Sequence, residues 1–315
     1  MGYTKTISDN PTMEGLAEIF PDVVFSHAGD EELKMQILTP WWNHENPSFI
    51  PRYPLVVFVQ GSGWTFPNVW YEVPQLSELA RQGYVIALVT HRDAMQGHPY
   101  PACIEDVKTA IRFLRKEADT YGIDTGRVGL FGTSSGGNIA LLCALYQNND
   151  YFSRISHSTD SALAKLSHAF QDAFTTSENV REYTEFSDKI DYIVSCFPTT
   201  DFVEFYDNPN MDQGIKDVFD ALSGERMDDE RSVLKAMSPY YIVKEARSLS
   251  LPPLFLTHGT GDQLIPYEHS AKFYDLLKET DTDVTFVTVE KGPHEGPFWS
   301  RELWQLIFDF IREHS

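Results

Sequence analysis

One serine stands in a glycine-rich turn where its hydroxyl could act as a nucleophile. Residues Gly132 to Gly136 read Gly-Thr-Ser-Ser-Gly, and Ser134 is at their centre. An apolar run typical of a strand precedes this turn, and an apolar run typical of a helix follows it. A sharp strand-to-helix turn exposes the hydroxyl, while the glycines leave room for close backbone contacts. The amides at the start of the helix also favour a developing negative charge. A plain turn with a serine cap would have the same letters, so the assignment depends on partners elsewhere.

Two later loops contain the partners that a serine nucleophile needs. Asp262 follows a predicted strand at Leu254–His258, and His294 follows the last predicted strand at Val284–Val289. The carboxyl ends of parallel strands lie along one edge of a sheet, so we expect both side chains to meet Ser134 there. In this prediction the histidine takes the serine proton and later returns it. The aspartate orients the imidazole and stabilises its charged form.

Other acids and histidines compete for these roles. Asp201 also ends a predicted strand, but we favour Asp262 because its loop is rich in glycine and follows the penultimate strand. Otherwise Asp201 is expected to cap a helix or a turn. His258 precedes the acid loop and is expected to pack behind it. The remaining candidates either precede the nucleophile or fall in a predicted helix: His91, His98 and His269.

A second loop of small residues follows the buried strand predicted at Leu55–Val59. It reads Gln-Gly-Ser-Gly over residues 60–63. Small residues at this place allow backbone amides to face an oxyanion. We predict an oxyanion hole formed by the amides of Ser62 and Gly63 together with that of Ser135, in the glycine-rich turn around Ser134 (the nucleophile elbow).

Aromatic residues are dense directly after this loop. Trp64 and Phe66 are the nearest, and Trp70 and Tyr71 follow. We predict that Trp64 and Phe66 contact the substrate as one wall of an acyl or aryl pocket. Ordinary packing explains the same residues equally well.

Composition and charge argue against several kinds of partner and several classes of protein. The chain has 315 residues, 42% of them hydrophobic, and a formal net charge of −21. This charge argues against nucleic acid and anionic membranes as partners. No run is apolar enough to span a bilayer, and the polar first ten residues do not resemble a signal peptide. Three widely spaced cysteines do not form a disulfide framework, and no metal-binding spacing is present. We expect a cytoplasmic protein with no metal or cofactor and a small molecule as its partner.

The order of predicted elements defines the fold. Strands alternate with helices, which predicts an α/β fold with a mostly parallel central sheet flanked by helices. Residues 1–53 are predicted to be an N-terminal extension with edge strands at Asp22–Ser26 and Glu32–Thr39. Residues 54–315 form the main predicted domain. It has insertions at about 147–190 and 203–247, which we interpret as a helical insertion or cap.

The chain resembles α/β-hydrolase esterases of the BD-FAE and hormone-sensitive-lipase-like group. The resemblance runs from about residue 54 to the end and is carried by five motifs. These are Pro101–Val107, Tyr121–Asp124, Gly132–Asn138 and the acid and histidine loops around His258–Asp262 and Gly292–His294. It implies an α/β-hydrolase fold and hydrolysis of carboxylic esters through an acyl-enzyme. The esters expected are short acyl or aryl esters, including acetyl or feruloyl groups on carbohydrate.

Two motifs depart from that group. The oxyanion loop usually contains His-Gly-Gly-Gly, whereas this chain has Gln60 at its start. The elbow has Thr133 and Ser135 where Asp and Ala are common. Two alternatives to an esterase remain: a peptidase of the prolyl-oligopeptidase type, which normally adds a large propeller, and a non-catalytic homologue that binds a small molecule. The complete set of catalytic residue types argues against the second.

Overall fold

The computed structural model describes residues 2–42, 50–147, 182–224, 227, 231–245 and 251–315. One eight-stranded sheet forms the centre of the described fold, in the order β1-β2-β4-β3-β5-β6-β7-β8. β2 pairs antiparallel with β1 and β4, and every other neighbouring pair is parallel. The predicted α/β fold with a mostly parallel sheet is therefore confirmed. The strands are β1 (Ala17–Ala28), β2 (Glu31–Pro40), β3 (Tyr53–Val59), β4 (Val85–Val89), β5 (Ile123–Thr133), β6 (Tyr192–Cys196), β7 (Leu254–Gly259) and β8 (Val284–Val289).

The two predicted edge strands form as β1 and β2, and both extend beyond their predicted bounds. In β2, the alternating residues Leu33, Met35 and Ile37 are completely buried. β1 is the outermost strand at this side of the sheet, and two irregularities interrupt its register with β2. β2 pairs with β4 of the main sheet, and β1 pairs with β2. The residues before 54 therefore add two strands to that sheet.

Helices occupy most of the connections between strands. Four lie before residue 148: α1 (Val73–Arg81), α2 (Ala102–Lys116), α3 (Ala118–Tyr121) and α4 (Ser135–Leu145). Four more follow β6: α5 (Phe202–Tyr206), α6 (Gln213–Ser223), α7 (Ser232–Ala236) and α8 (Pro239–Glu245). The last two described are α9 (Glu268–Leu277) and α10 (Arg301–His314). Hydrophobic side chains pack on both faces of the sheet in two clusters, as expected for a sheet covered on both sides.

Helix α2 is buried over almost its whole length. Its charged residues between the apolar positions are buried as well as the apolar ones. Lys108 reaches Asp188 at 2.9 Å, and Arg115 donates to the carbonyl groups of Ser187 and Lys189. The segment that precedes β6 therefore covers the charged face of α2. This long-range contact determines the burial of the helix.

The predicted insertions are described to different extents. Most of the first, residues 148–181 of the predicted 147–190, lies outside the described residues. The second, predicted at about 203–247, contains α5 to α8 between β6 and β7. These helices follow the carboxyl end of β6, the same edge of the sheet on which the serine elbow lies. They are therefore placed to form one side of a site at that edge.

The cysteines are structural residues. Cys103, Cys143 and Cys196 are free and buried, and burial raises the pKa of each thiol. They therefore pack as small core residues. In the described part of the chain, no helix combines the length and the hydropathy needed to cross a bilayer.

Candidate active site

The turn between β5 and α4 has the strained backbone of a nucleophile elbow. Ser134 adopts φ 52° and ψ −120°, a conformation that non-glycine residues rarely take. A β-carbon at Gly132 would lie 2.0 Å from the carbonyl oxygen of Gly136, and one at Gly136 would lie 2.0 Å from that of Val59. Both contacts are with backbone, so only glycine fits. The strand, turn and helix predicted around Ser134 are all present.

Three distant loops bring their side chains into one hydrogen-bonded line. His294 Nε2 lies 3.0 Å from Ser134 Oγ, and His294 Nδ1 lies 2.7 Å from Asp262 Oδ2. Asp262 follows β7, and His294 follows β8. The carboxylate can only accept, so Nδ1 carries a proton and Nε2 is free to accept the serine proton. This arrangement is suited to generating a serine nucleophile.

The carboxylate of Asp262 is buried and strongly stabilised as an anion. Its side chain is completely inaccessible to solvent. Burial alone would raise its pKa, but hydrogen bonds from His258 and His294 hold the pKa of this carboxyl well below its usual range. The backbone amides of Leu264 and Ile265 donate to its Oδ1, each at 2.9 Å. These contacts favour the charged form of Asp262.

The rival candidates have structural roles. Asp201 is the N-cap of α5 and accepts the amide of Glu204, as the alternative interpretation of this residue predicted. His91 is buried and hydrogen-bonded to the carbonyl of Arg92, and burial lowers its pKa. His98 is partly exposed near Glu31. The two other histidines lie behind the acid loop: His258 in β7, and His269 in α9.

The oxyanion loop is fastened to the elbow by two hydroxyl groups. The amide of Gly61 donates to Thr133 Oγ1 at 2.8 Å, and that of Ser62 donates to Ser135 Oγ at 2.9 Å. Thr133 and Ser135 are the residues at which the elbow departs from the related esterases. The predicted donor Ser62 has its amide engaged here. Gly63 follows with φ 62° and lies against the cavity beside Ser134.

A small, mainly apolar cavity of about 70 Å³ opens beside the serine. Trp64 forms part of its wall and is buried. Phe66 does not line the cavity, and 44% of its surface is exposed, so the pocket wall predicted at Phe66 is not found in this cavity. The lining consists of Gly63, Trp64, Ser134, Thr199, Phe205, Ile215, Val218, Leu264 and Ile265.

Sequence reasoning missed much of this wall. Phe205 belongs to α5, while Ile215 and Val218 belong to α6, so the second insertion supplies one side of the cavity. Phe197 was also missed: its ring centroid lies 4.6 Å from that of His294. The hydrophobic spacing of α6 could have suggested an apolar face. It could not have shown that part of this face lines a cavity beside Ser134.

The sequence did not predict the interaction of two carboxyl groups, one of which belongs to the residue after His294. Glu72 is 3% exposed, and among the described residues its Oε2 has no hydrogen-bond partner. Burial, followed by the charge of Glu295, raises the pKa of Glu72 to about 8. Glu295 is next to His294 in the chain and accepts a hydrogen bond from Trp299 Nε1 at 2.8 Å. Burial raises the pKa of Glu295 as well.

Comparison with known proteins identifies the family. The BD-FAE family model matches residues 46–277, which is most of the chain and includes Ser134 and Asp262. The chain belongs to the BD-FAE family. It is 25% identical to Esterase LipC of Mycobacterium tuberculosis over 247 residues, which cover 77% of this chain and 52% of LipC. It is also 25% identical to Esterase LipQ of the same organism, covering 92% of this chain and 61% of LipQ. The BD-FAE chain thus spans only about half of the length of these curated relatives.

Solved structures share the fold of this BD-FAE protein. A truncated carbohydrate esterase from gut microbiota superposes with a TM-score of 0.74 at 20% identity, covering 97% of this chain and 99% of that one. Esterase 2 of Thermogutta terrifontis, in its apo form, superposes with a TM-score of 0.67 at 22% identity, covering 96% of both chains. At these identities the likeness establishes the α/β-hydrolase fold.

Proposed function

We propose that this protein is a serine carboxylesterase that cleaves short acyl esters through an acyl-enzyme. The observation that carries the proposal is the unbroken hydrogen-bonded line from Ser134 through His294 to Asp262, beside a small apolar cavity. The esterases named among its relatives support the same activity.

The proposed reaction has two halves, acylation and deacylation, which use the same groups. Ser134 Oγ attacks the acyl carbon while His294 Nε2 takes its proton. The amides of Gly63 and Ser135 stabilise the oxyanion of the tetrahedral intermediate. His294 then gives the proton to the departing alcohol, which leaves the acyl group on the serine. A water molecule then attacks the acyl carbon while His294 Nε2 takes one of its protons. The bond to Ser134 Oγ breaks as His294 returns the proton to the serine, which releases the acid. Asp262 stabilises the imidazolium in both halves.

The cavity limits the size of the acyl group. At about 70 Å³ it is far smaller than the roughly 300–1,000 Å³ of sites that hold drug-sized ligands. It suits an acetyl or propionyl group, and it disfavours an aromatic feruloyl group. The alcohol side of the ester lies outside this cavity. The fold shared with a carbohydrate esterase supports a sugar alcohol as one candidate leaving group.

The two alternatives have less support. A prolyl-oligopeptidase type of peptidase has no specific observation in its favour among the described residues. A non-catalytic binding protein would not need the Ser134–His294–Asp262 hydrogen bonds. We also propose that the protein acts in the cytoplasm, because its three cysteines are free thiols. Its net charge of −21 supports the absence of a nucleic-acid partner.

Hydrolysis of p-nitrophenyl esters from acetate to decanoate tests this proposal. We expect turnover to be fastest on acetate or propionate and to fall as the acyl chain lengthens. Ser134→Ala should lower kcat by about 10⁴- to 10⁶-fold without loss of folding. Ser77→Ala is the matched control, since Ser77 lies on α1 and donates only to the Pro74 carbonyl. Activity that survives in Ser134→Ala would overturn the assignment, and a folded wild type inactive on every ester would favour a binding protein.

A further inference from the structure

A second histidine contacts the same carboxylate oxygen as the proposed catalytic histidine. His258 Nε2 lies 3.1 Å from Asp262 Oδ2, the atom that also binds His294. The same Nε2 lies 3.0 Å from the carbonyl oxygen of Ile265. Asp262 Oδ2 therefore lies between two imidazoles, while backbone amides bind its Oδ1.

The partners of His258 fix its tautomer. Both oxygens near its Nε2 are acceptors, so this nitrogen must carry a proton. In the neutral ring, Nδ1 is then an acceptor. Ser270 Oγ lies 2.7 Å from Nδ1 and is the group that can donate to it. The serine hydroxyl thus keeps the ring proton on the nitrogen that faces Asp262.

Both residues of this pair are buried within regular secondary structure. His258 is in β7 and Ser270 is in α9, and neither has measurable solvent exposure. The ring of His258 also packs edge-on against Tyr267, with centroids 6.0 Å apart. Such a buried pair has few ways to compensate for a lost hydrogen bond.

We propose that Ser270 and His258 act as a positioning pair that holds Asp262 in the orientation required by His294. The inference rests on the proposed function, because it assigns the pair a role in that triad. Neither residue lines the acyl cavity. Their effect should therefore reach the reaction through Asp262 and leave substrate binding unchanged.

Other titratable groups surround the pair and Asp262. His269 of α9 interacts with His258 and Asp262, and burial lowers its pKa to about 4. Its Nδ1 lies 3.3 to 3.4 Å from the amides of Thr200 and Asp201. The charges of Glu204 and Lys272 also act on His269, and the charge of Asp262 acts on Glu295. The test must therefore compare complete pH profiles of closely matched variants.

Removing a donor changes the basicity of Asp262. A carboxylate that loses a hydrogen bond is a stronger base and stabilises a neighbouring imidazolium more strongly. The acid limb of the kcat/KM profile should move to higher pH, an effect that a purely structural role would not produce. A lost hydrogen bond to a charged group also predicts a fall in kcat of about 10- to 100-fold.

The experiment compares Ser270→Ala, His258→Leu and His258→Gln on p-nitrophenyl acetate over a range of pH. The glutamine can retain an amide donor near Asp262, so it should recover much of the activity lost in His258→Leu. Ser223→Ala is the matched control: Ser223 is a fully buried helical serine that donates to the Phe219 carbonyl. We expect lower kcat in Ser270→Ala and His258→Leu, KM within about twofold, and a shifted acid limb.

Ser134→Ala, measured in parallel, distinguishes failure of the proposed esterase function from failure of the positioning role of Ser270 and His258. If Ser134→Ala keeps its activity, the proposed function itself is wrong. If Ser134→Ala is inactive while folded Ser270→Ala has the kcat and pH profile of the wild type, the positioning role is wrong. A rise in KM at constant kcat would also overturn it. Should His258→Leu not fold, Ser270→Ala decides the result.

Discussion

Ser135 Oγ accepts the backbone amide of Ser62 at 2.9 Å, and this bond joins the elbow to the loop of the proposed oxyanion hole. Thr133 makes the equivalent bond one residue earlier, to the amide of Gly61. The loop must lie close to the elbow, because a β-carbon at Gly61 would be 2.7 Å from Ser134 Cβ. Two hydroxyls therefore fix the place of Gly63 relative to the nucleophile.

Thr133→Val and Ser135→Ala should each loosen this loop. Each substitution removes one acceptor, and a typical hydrogen bond contributes about 0.5–1.5 kcal/mol. We expect kcat on p-nitrophenyl acetate to fall about 3- to 10-fold with KM nearly unchanged, because the oxyanion forms only in the transition state. Thr285→Val, at an exposed position of β8, is the control and should behave as the wild type. Unchanged kcat in both loop variants would show that the hydroxyls do not organise the hole.

Val218→Ala should enlarge the acyl cavity. Val218 is a half-buried residue of α6 that lines the cavity beside Ser134. Removing its two methyl groups makes room for a longer chain, and one methylene in an apolar pocket is worth about 10- to 200-fold in selectivity. We expect the ratio of kcat/KM for butyrate to that for acetate to rise by about tenfold.

Val203→Ala is the matched control for this change. Val203 is also a half-buried valine of the second insertion, in α5, but it does not line the cavity. Its chain-length profile should follow that of the wild type. If both variants change the profile alike, general loosening of the insertion is the cause and the cavity does not set the acyl preference.

Glu72→Gln should remove part of the pH dependence of stability. The pKa of Glu72 is raised to about 8 in the fold, whereas the unfolded chain releases this proton near pH 4.5. The folded state thus binds more protons across this range, and its stability falls as the pH rises from about 4.5 to 8. The slope from one proton is at most about 1.4 kcal/mol per pH unit.

Thermal or urea unfolding at several pH values measures this effect. The glutamine variant should lose less stability than the wild type between pH 5 and pH 8, because its side chain stays neutral. Glu290→Gln is the control, since its side chain is 85% exposed. Parallel curves for the wild type and Glu72→Gln would show that Glu72 is charged in the folded protein.

The sequence by itself determined the features that depend on nearby residues. The alternation of buried strands with helices predicted the α/β sheet, and the glycines around Ser134 predicted its turn. The order of Ser134, Asp262 and His294, each placed after a strand, predicted which residues the sheet would bring together. These signals are local, because a turn or a strand end is specified within a few residues.

Only the tertiary structure decided between groups with the same local pattern. Asp201 and Asp262 both follow strands, but only Asp262 lies within hydrogen-bonding distance of His294. Three further features depend on segments far apart in the chain: the cavity wall from α6, the burial of the charges on α2, and the effect of the Glu295 charge on Glu72. Such contacts are set by how elements pack, which the periodicity of a single segment does not record.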